Sequence, residues 1–423
     1  MKVMVVGGGG REHAIIKKLK ENKNISEIFA LPGNGGMAND ATLVDIGAKD
    51  IENIVKFATD NKIDYAVVAP DDPLVLGAVD ALNEVGIPCF GPNKNAAIIE
   101  GSKVFSKNLM KKYNIPTAQY EVFDNKDQAL KYLETAPIPT VIKADGLALG
   151  KGVIIAETRE DAKNAVISMM EDKVFGESGN NIVIEEFLTG PEVSVLSFTD
   201  GETVVPMVSS MDHKRALDGD KGLNTGGMGT IAPNPYYTKE IADICMETIF
   251  KPTINAMNSE GRTFKGCLYF GLMLTPKGPK VIEYNCRFGD PETQVVLPLL
   301  ESDLLTVMQA TTNGTLKNTE VKFKDGAAAC VVMASNGYPQ KYESGFELKI
   351  DKSVEDKVYV AGAKLVDGIL KTAGGRVLGV TDTADTLEEA LKKAYDNVKL
   401  VKFENAFYRN DIGAKALKAK EIL

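Results

Sequence analysis

Short apolar runs alternate with helical patterns along the first hundred residues. The runs KVMVVG, EIFALPG, TLVDIG, YAVVAP and IPCFGP predict strands, and stretches between them, such as REHAIIKKLKEN and IENIVKFATDNK, have helical periodicity. Strands separated by helices of this length imply right-handed crossovers and parallel pairing. The pattern predicts an α/β fold that begins with a doubly wound parallel-sheet domain.

The middle of the chain predicts a different arrangement. TVIKAD and VIIAET read as strands joined by a glycine-rich turn, which predicts an antiparallel hairpin, and VSVLSFTDGETVVPM predicts another hairpin that turns at Asp200-Gly201. Residues 211–233 are polar and glycine-rich without strand or helix periodicity, so we expect a long functional loop there. From GAAACVVMASNGYP onward, strand and helix patterns predict a separate small domain.

Composition narrows the class of protein. A 44% hydrophobic and 25% charged content is that of a soluble globular chain, and the net charge of -9 argues against partners such as nucleic acid or an anionic membrane. Five scattered cysteines without CxxC spacing argue against disulfides and zinc, and we expect a cytoplasmic location. With two histidines in 423 residues, catalysis must rest on carboxylates, lysines, arginines, amides and the backbone.

The stretch EYNCRFGDPE places polar side chains at the end of an apolar strand. Glu283, Asn285 and Arg287 are spaced by two, so they share one face of an extended strand. Carboxylate and amide oxygens are hard ligands suited to Mg²⁺, and an arginine can bind a carboxylate or neutralise a developing phosphate charge. The alternative is an ion-paired strand end without a ligand.

Two glycine-rich loops follow predicted strands near the N-terminus. GGGGREHA opens a helix whose amides can hold a phosphate, although Glu12 stands where a dinucleotide motif has a small residue. LPGNGG is the second loop. Two such loops at the carboxyl ends of parallel strands indicate a ligand in the crevice, and the alternative is a pair of tight turns.

A third glycine-rich segment, DGLALGKG, joins two strands and lacks the ending of a P-loop motif. Such a hairpin can lie over nucleotide phosphates while Lys143 and Lys103 supply cationic donors. The segment EEFLTGPEVSV offers carboxylates and backbone groups for an adenosine. Solvated lysines and a solvated acidic turn are the alternatives. Together the motifs predict an enzyme that activates a carboxylate with ATP.

The ordered set of motifs resembles that of the glycinamide ribonucleotide synthetase (phosphoribosylamine–glycine ligase) family of the ATP-grasp superfamily. The resemblance rests on GGGGREHA, PGNGG, IKADGLALGKGV, EEFLTGPEVSV, MDHKR with GLNTGGMG, and EYNCRFGDPETQ, and it covers essentially the whole chain. DHKR followed by NTGGMG and RFGDPETQ is specific to this family, whereas the glycine hairpin and EEFL are shared by many ATP-grasp ligases.

The resemblance implies a fold and a reaction. The expected parts are a Rossmann-like substrate-binding domain (1–100), an ATP-grasp domain (101–325) with a hinged lid at about 120–190, and a small α+β domain (326–423). The expected reaction ligates glycine to 5-phosphoribosylamine in de novo purine biosynthesis. It hydrolyses ATP to ADP and phosphate, proceeds through glycyl phosphate, and uses Mg²⁺ or Mn²⁺. A monomer is expected.

The resemblance also implies the roles of individual residues. The metal ligands would be Glu283 and Asn285, and catalysis would rest on Arg287, Asp212 and Lys214. ATP would be held by Lys103, Lys143, Gly146, Gly150, Lys151, Gly152, Glu185, Glu186, Leu188 (through its backbone) and Glu192. The two substrates would contact Gly9, Gly10, Gly33, Asn34, Asp71, His213, Gly226, Gly227 and Asp290.

Two departures from the family pattern and two alternatives accompany this interpretation. Asp71 in APDDPL stands where the family has glutamate, and Leu223 in GLNTGGMG stands where proline is usual. One alternative is an ATP-grasp ligase that acts on a different carboxylate, such as a formate-using or carboxylating purine enzyme. The other is a nucleotide-binding regulatory protein without turnover.

Overall fold

The computed structural model describes residues 1–148 and 152–422, and its first hundred residues form a parallel sheet flanked by helices. The elements are β1 (Lys2–Gly7), α1 (Gly10–Leu19), β2 (Glu27–Pro32), β3 (Thr42–Leu43), α2 (Ile51–Asp60), β4 (Tyr65–Val68), α3 (Asp71–Leu76), α4 (Ala78–Glu84) and β5 (Cys89–Phe90). The strand order β3-β2-β1-β4-β5, all parallel, confirms the doubly wound prediction. The apolar run of β1 is buried because helices cover both faces of the sheet.

Two helices lead from this sheet into a small antiparallel unit. They are α5 (Lys94–Gly101) and α6 (Lys103–Lys112), and Ser102 caps α6 by accepting from the Phe105 N–H. The unit comprises β6 (Tyr120–Phe123), α7 (Lys126–Leu133), β7 (Thr140–Ala144), β8 (Val153–Ala156), α8 (Arg159–Met170) and β9 (Ile182–Glu186). Its sheet order is β6-β9-β7-β8, and the antiparallel register of β7 with β8 confirms the predicted hairpin. Its helices and sheet share a core of their own around Leu133, Ile142 and Met169.

The central region is built on long antiparallel strands. Its elements are β10 (Glu192–Thr199), β11 (Val204–Pro206), β12 (Met211–Asp212), β13 (Arg215–Leu217), β14 (Lys221–Asn224), β15 (Gly229–Ala232), α9 (Lys239–Cys245), α10 (Lys251–Ser259), β16 (Gly266–Thr275), β17 (Gly278–Asn285), α11 (Thr293–Leu299) and α12 (Leu304–Asn313). The order β11-β10-β16-β17 includes the predicted hairpin at Asp200-Gly201. A π-helical segment, Met246–Phe250, joins α9 to α10.

The prediction of a loop without strands over residues 211–233 is wrong. The segment contains β12, a hairpin of β13 with β14, and β15, whose sequence GTIA is buried throughout. These strands are two to four residues long, too short for a period-two pattern to show. β12 pairs with β15 and β13 with β14 inside the segment, and β15 also pairs with the distant β18, so strand pairing rather than local preference sets their conformation.

The C-terminal part completes a mixed unit with those short strands. Its elements are β18 (Ala327–Ser335), β19 (Lys349–Ile350), β20 (Val358–Val360), β21 (Ala363–Val366), β22 (Ile369–Thr372), β23 (Arg376–Ala384), α13 (Leu387–Val398), β24 (Val401–Lys402), β25 (Ala406–Phe407) and α14 (Ala414–Ile422). One sheet runs β12-β15-β18-β23-β20, with β25 beside β18. It therefore contains strands from both sides of residue 325. Within the described residues, every helix is too short or too polar to cross a membrane.

Candidate active site

The predicted metal-binding strand end is held by a residue that the sequence analysis missed. Glu283 pairs with Gly271 and Asn285 with Tyr269 in the β16–β17 register, so Glu283 and Asn285 lie on one face of β17. Glu100, near the end of α5, receives hydrogen bonds from Asn285 Nδ2 (2.9 Å) and the Cys286 N–H (2.7 Å). It also forms an ion pair with Arg287 Nη2 at 3.0 Å. The predicted ligand Asn285 and the predicted catalytic Arg287 are thus fixed by one carboxylate.

A buried ion-pair cluster joins the small antiparallel unit to α6. Glu185 Oε1 lies 2.5 Å from Lys143 Nζ, and Glu185 Oε2 lies 2.7 Å from Lys107 Nζ. Burial alone would raise the pKa of Glu185, but the two ammonium groups outweigh it and lower that pKa. Burial lowers the pKa of Lys107 to about 8. The sequence analysis missed Lys107 because KNLMKK reads as an ordinary solvated helix face.

The glycine hairpin is fastened to the start of α6. Asp145 accepts from Ser102 Oγ (3.1 Å) and the Val104 N–H (3.2 Å), and Lys103 Nζ donates to the Gly146 carbonyl at 2.7 Å. Gly152 closes the hairpin by accepting from the Ala144 N–H at 2.8 Å. The predicted ATP contacts Gly150 and Lys151 lie outside the described residues.

The predicted ATP contacts at the end of β9 and beyond it differ in their exposure and in their hydrogen bonds. Glu186 is exposed, and its carboxylate accepts from the Gln119 N–H at 3.0 Å, on the outside of the unit. The backbone of Leu188 forms no hydrogen bond with any described residue, so its edge is open to a ligand. Glu192 starts β10 and lies 3.6 Å from Lys214 Nζ.

Glu283 and Asn285 fit a divalent cation shared with phosphates. Burial alone would raise the pKa of Glu283, but Lys214, Lys143 and Lys103 outweigh it and lower the pKa. The Asn285 amide turns its NH₂ to Glu100, which leaves Oδ1 as its free acceptor. Among the described residues no group of three His, Cys, Asp or Glu side chains could hold a metal alone. Mg²⁺ suits this pair because it normally takes most ligands from water and nucleotide phosphates.

Arg287 has donors available for an anion. Its Nε is buried and has no hydrogen-bond partner among the described residues. Such an orphaned donor is costly unless a ligand pairs with it. Asp71, at the start of α3, adds its charge to this end of the site, because it and Glu100 help to raise the pKa of Arg287 against the opposing effect of burial.

Lys214 lies near both Glu283 and Asp212, since the charge of Glu192 and then those of Glu283 and Asp212 raise the pKa of Lys214 against the effect of burial. Asp212 Oδ1 accepts from the His213 N–H at 2.8 Å, and burial together with the nearby charge of Glu292 raises the pKa of Asp212 well above its ordinary value. Glu292 is buried and accepts from Tyr269 Oη at 3.0 Å. Glu292 ends the stretch EYNCRFGDPE but was not predicted as a site residue, because it lies beyond the strand, where period-two spacing no longer predicts the direction of a side chain. This part of the site combines the carboxylates of Asp212 and Glu292 with the cations Lys214 and Arg376, whose charges oppose the rise in the pKa of Asp212.

The carbonyls of the predicted contacts Gly226 and Gly227 accept hydrogen bonds from the C-terminal part. Arg376 Nη1 donates to the Gly226 carbonyl and to the Asp290 carbonyl, both at 2.9 Å. A β-carbon on Gly226 would lie 2.8 Å from the Arg376 guanidinium carbon, so a larger residue there would have to displace that guanidinium. Arg376 was not among the predicted site residues, since a distant strand carries it.

His213 does not offer a ring nitrogen to this site. Its Nδ1–H donates to the Gly229 carbonyl at 3.1 Å, and its Nε2 accepts from the Gly413 N–H at 3.1 Å. Burial and the charge of Arg409 lower the pKa of His213 to about 4. Its role in the structure is to join the β12–β15 region to the start of α14.

The predicted phosphate loop at α1 is partly filled by carboxylates of the chain. The Gly9 N–H donates to Glu12 Oε2 at 2.8 Å, and the Arg11 N–H donates to Asp290 Oδ2 at 3.3 Å. A β-carbon on Gly10 would lie 2.6 Å from Gln294 Nε2. The loop is therefore close-packed against the turn that carries Asp290, and two of its donors are already engaged.

Gly33 and Asn34 lie at a cavity between the first sheet and the C-terminal part. Asn34 Nδ2 donates to the Val360 carbonyl (2.7 Å) and the Gly8 carbonyl (3.0 Å), so it also bridges the two regions. The cavity has a volume of about 400 Å³ and is lined mainly by glycine and alanine, with Lys364 as a cation. It is separate from the charged cluster around Glu283.

Family models match nearly the whole chain. The phosphoribosylglycinamide synthetase N domain matches residues 1–100, the ATP-grasp (A) domain residues 101–293, and the C domain residues 328–415. The chain belongs to the phosphoribosylglycinamide synthetase family. The resemblance seen in the motifs and the predicted fold class are thereby confirmed.

Individual relatives of this family cover the chain from end to end. Phosphoribosylamine–glycine ligases from Caldanaerobacter subterraneus and Clostridium acetobutylicum are each 48% identical, over 98% of this chain and 100% and 99% of their own lengths. The crystal structure of phosphoribosylamine–glycine ligase from Thermotoga maritima is 34% identical with a TM-score of 0.87, covering 97% of this chain and all of that one.

More distant structures share the fold alone. A biotin carboxylase domain from Hydrogenobacter thermophilus, solved with MgADP and bicarbonate, has a TM-score of 0.74 at 15% identity and covers 99% of this chain and 93% of that one.

Proposed function

We propose that this protein ligates glycine to 5-phosphoribosylamine, with hydrolysis of ATP to ADP and phosphate, and releases glycinamide ribonucleotide. Membership of the phosphoribosylglycinamide synthetase family supports the reaction, and two relatives that match over nearly their full length are named for it. The observation that carries the assignment is the convergence of Glu283, Asn285 and Arg287 with the Lys143–Glu185 pair. That cluster combines oxygen ligands for a metal with cations for phosphates.

The first step forms glycyl phosphate. A carboxylate oxygen of glycine attacks the γ-phosphorus of ATP, and the bond to the β-γ bridging oxygen breaks to release ADP. Mg²⁺ held by Glu283 and Asn285 would neutralise phosphate charge. Lys143 and Lys103 bind the phosphates, and Arg287 stabilises the charge that develops on the transferred group. Mn²⁺, a divalent ion of similar ligand preference, would serve in place of Mg²⁺ at the same two residues.

The second step forms the amide. The amine of 5-phosphoribosylamine attacks the glycyl carbonyl, the carbon–oxygen bond to phosphate breaks, and the nitrogen loses a proton. Asp212, whose pKa is raised by burial and by Glu292, is suited to hold that proton, and Lys214 neutralises the departing phosphate. We assign Leu188, Glu192, Glu185 and Glu186 to the nucleotide side. Gly9, Gly10, Gly33, Asn34, Asp71, Gly226, Gly227 and Asp290 form the substrate side, whereas His213, whose ring nitrogens are engaged by Gly229 and Gly413, supports the neighbouring Asp212 through its N–H.

The experiment is an assay of ADP release with glycine and 5-phosphoribosylamine supplied together and each omitted in turn. We expect turnover only with both, and mass spectrometry should detect glycinamide ribonucleotide. ADP formation that ignores glycine, and responds to formate or bicarbonate, would show a ligase for a different carboxylate. Binding of ATP without turnover under any combination would indicate a regulatory protein.

The remaining parts of the proposal concern the setting of the enzyme. We propose that it works in the cytoplasm as a monomer on small-molecule substrates, without nucleic acid or membrane partners. The proposed domain limits are 1–100, 101–325 with the lid at about 120–190, and 326–423. The net charge of -9 supports the exclusion of nucleic acid. Sedimentation of the purified protein tests the monomer.

A further inference from the structure

Glu100 stands at the point where the metal side and the phosphate side of the site meet. It lies on α5, near the junction with α6, whereas Asn285 and Arg287 come from the end of β17, more than 180 residues later. Only 8% of Glu100 is exposed, so its carboxylate is taken out of water. A buried carboxylate needs partners that satisfy it, and each partner here belongs to the strand end.

The three groups around Glu100 are all hydrogen-bond donors. Asn285 Nδ2 and Arg287 Nη2 reach Oε1 at 2.9 and 3.0 Å, and the Cys286 N–H reaches Oε2 at 2.7 Å. An ionised carboxylate accepts at both oxygens, whereas an amide of the same shape must place its NH₂ against one of these donors. The geometry is therefore specific for glutamate in its charged form.

The hydrogen bond from Asn285 has a consequence for the metal. A side-chain amide presents an oxygen in one direction and NH₂ in the other. An ionised carboxylate can only accept hydrogen bonds, so Glu100 holds the Nδ2 of Asn285 toward itself. The amide Oδ1 is then directed away from Glu100, on a residue that shares its strand face with Glu283. Without this acceptor the amide is free to rotate and present NH₂ to the cation.

We propose that Glu100 is a positioning residue that orients the Asn285 oxygen toward the divalent cation and fixes the Arg287 guanidinium for the phosphate. The inference rests on the proposed function for the identity of the reaction, but not for its metal-binding part. Outer partners of metal ligands typically contribute 10- to 100-fold in metal affinity or activity.

The test compares wild type with Glu100→Gln and Glu100→Asp by two readouts. Binding of Mn²⁺, used as a paramagnetic probe, is measured in the presence of a non-hydrolysable ATP analogue, and the Mg²⁺ concentration for half-maximal turnover is measured separately. We expect Glu100→Gln to weaken Mn²⁺ binding and to raise the Mg²⁺ requirement by about 10- to 100-fold. Glu100→Asp, which keeps the charge but is one methylene shorter, should lie between, and it carries the test if the glutamine variant does not fold.

The chain offers a matched control in Asp200. It is also a buried carboxylate that accepts only from N–H groups, those of Glu202, Thr203 and Leu316, and it contacts none of the site residues. Asp200→Asn should lower the melting temperature by about as much as Glu100→Gln does, while leaving the Mg²⁺ requirement unchanged. In an Asn285→Ala background, Glu100→Gln should cost little further Mn²⁺ affinity, because the two act through one contact.

The outcomes separate the proposals. Mn²⁺ affinity and Mg²⁺ requirement within twofold of wild type in a folded Glu100 variant would overturn the positioning role, as would an equal loss in Asp200→Asn. The Mn²⁺ measurement needs no glycine or 5-phosphoribosylamine. A wild type that binds Mn²⁺ with the ATP analogue but does not ligate glycine would therefore reject the proposed function and leave the Glu100 result standing.

Discussion

At the scale of single residues, the site depends on buried carboxylates that are each shared by two partners. Glu185 is shared by Lys143 and Lys107, and Glu100 is shared by Asn285 and Arg287. Removing one member of a buried pair leaves an uncompensated charge, which typically costs about 3–5 kcal/mol. Variants of these residues that test chemistry therefore need a separate check that the protein is folded, such as a melting temperature measured beside the kinetics.

Arg287→Ala is such a variant for the transferred phosphate. We expect turnover to fall by about 100-fold or more, while ATP affinity changes little, because the guanidinium acts on charge that develops in the transition state. Steady-state kinetics and equilibrium ATP binding measure the two effects. Arg262→Ala, on a half-buried arginine that contacts Asn95 and the Phe105 ring, is the control. A normal turnover number would remove Arg287 from the reaction.

His213 predicts a pH dependence of stability. Burial keeps its pKa at about 4, below the ordinary value of 6.5. Between these values the unfolded chain binds the proton and the folded one does not. The contribution of neutral His213 to the free energy of unfolding is therefore fully present above pH 6.5. It is lost as the pH falls toward 4, by about 1.4 kcal/mol per pH unit. Urea unfolding at pH 7, 6 and 5 should show a shallower loss in His213→Gln, and parallel curves would contradict this assignment.

At the scale of elements, the glycine hairpin is joined to a helix start rather than only to its own sheet. Asp145 binds the first turn of α6 through Ser102 and Val104, while Lys103, in the same turn, binds Gly146. The helix N-terminus favours this carboxylate, since its free N–H groups and dipole are positive there. The base of the hairpin is thus placed next to the proposed phosphate site even where its tip is not described.

Asp145→Ala tests this connection. Loss of a hydrogen-bonded anchor typically costs about 1 kcal/mol or more, so we expect the KM for ATP to rise on the order of 10-fold, with a smaller change in the KM for glycine. Asp127→Ala, on exposed helix α7 of the same unit, provides the comparison. Equal changes in both KM values would indicate a general loss of structure.

Site residues are predictable from sequence where chemistry and local pattern coincide. The period-two spacing of Glu283 and Asn285 on an apolar strand predicts a shared face, which the register confirms, whereas Arg287 lies beyond the end of β17. The strand and hairpin around Lys143 follow from local patterns. Glu100, Lys107, Glu292 and Arg376 were missed because each looks ordinary in its own segment. Their positions depend on packing between segments far apart in the chain, which no local pattern encodes.

At the scale of the whole molecule, the N-terminal sheet and the C-terminal part are joined by polar contacts. Asn34 bridges Gly8 and Val360, and His13 Nδ1 accepts from the Val360 N–H at 2.8 Å. Lys17 adds contacts to the carbonyls of Glu355 and Val358. These bonds fix the walls of the cavity that contains Gly33.

Asn34→Ala should weaken this junction. Two carbonyls and the Gly36 N–H lose their partner, so we expect the free energy of unfolding to fall by about 2–3 kcal/mol. Asn83→Ala, on the exposed surface of α4, should change it by less than about 0.5 kcal/mol. Denaturant titration of both variants decides the point; indistinguishable midpoints would show that the bridge contributes nothing.

The sheet that runs β12-β15-β18-β23-β20 constrains how the gene can be divided. A chain split between codons 325 and 326 would leave β15 in one fragment and its partner β18 in the other. Each strand would then have an edge of unpaired backbone N–H and C=O groups, and such edges promote non-native association. Two-plasmid complementation at that position should therefore succeed only when both fragments are made together, even though the family's own subdivision of the sequence suggests a natural cut there.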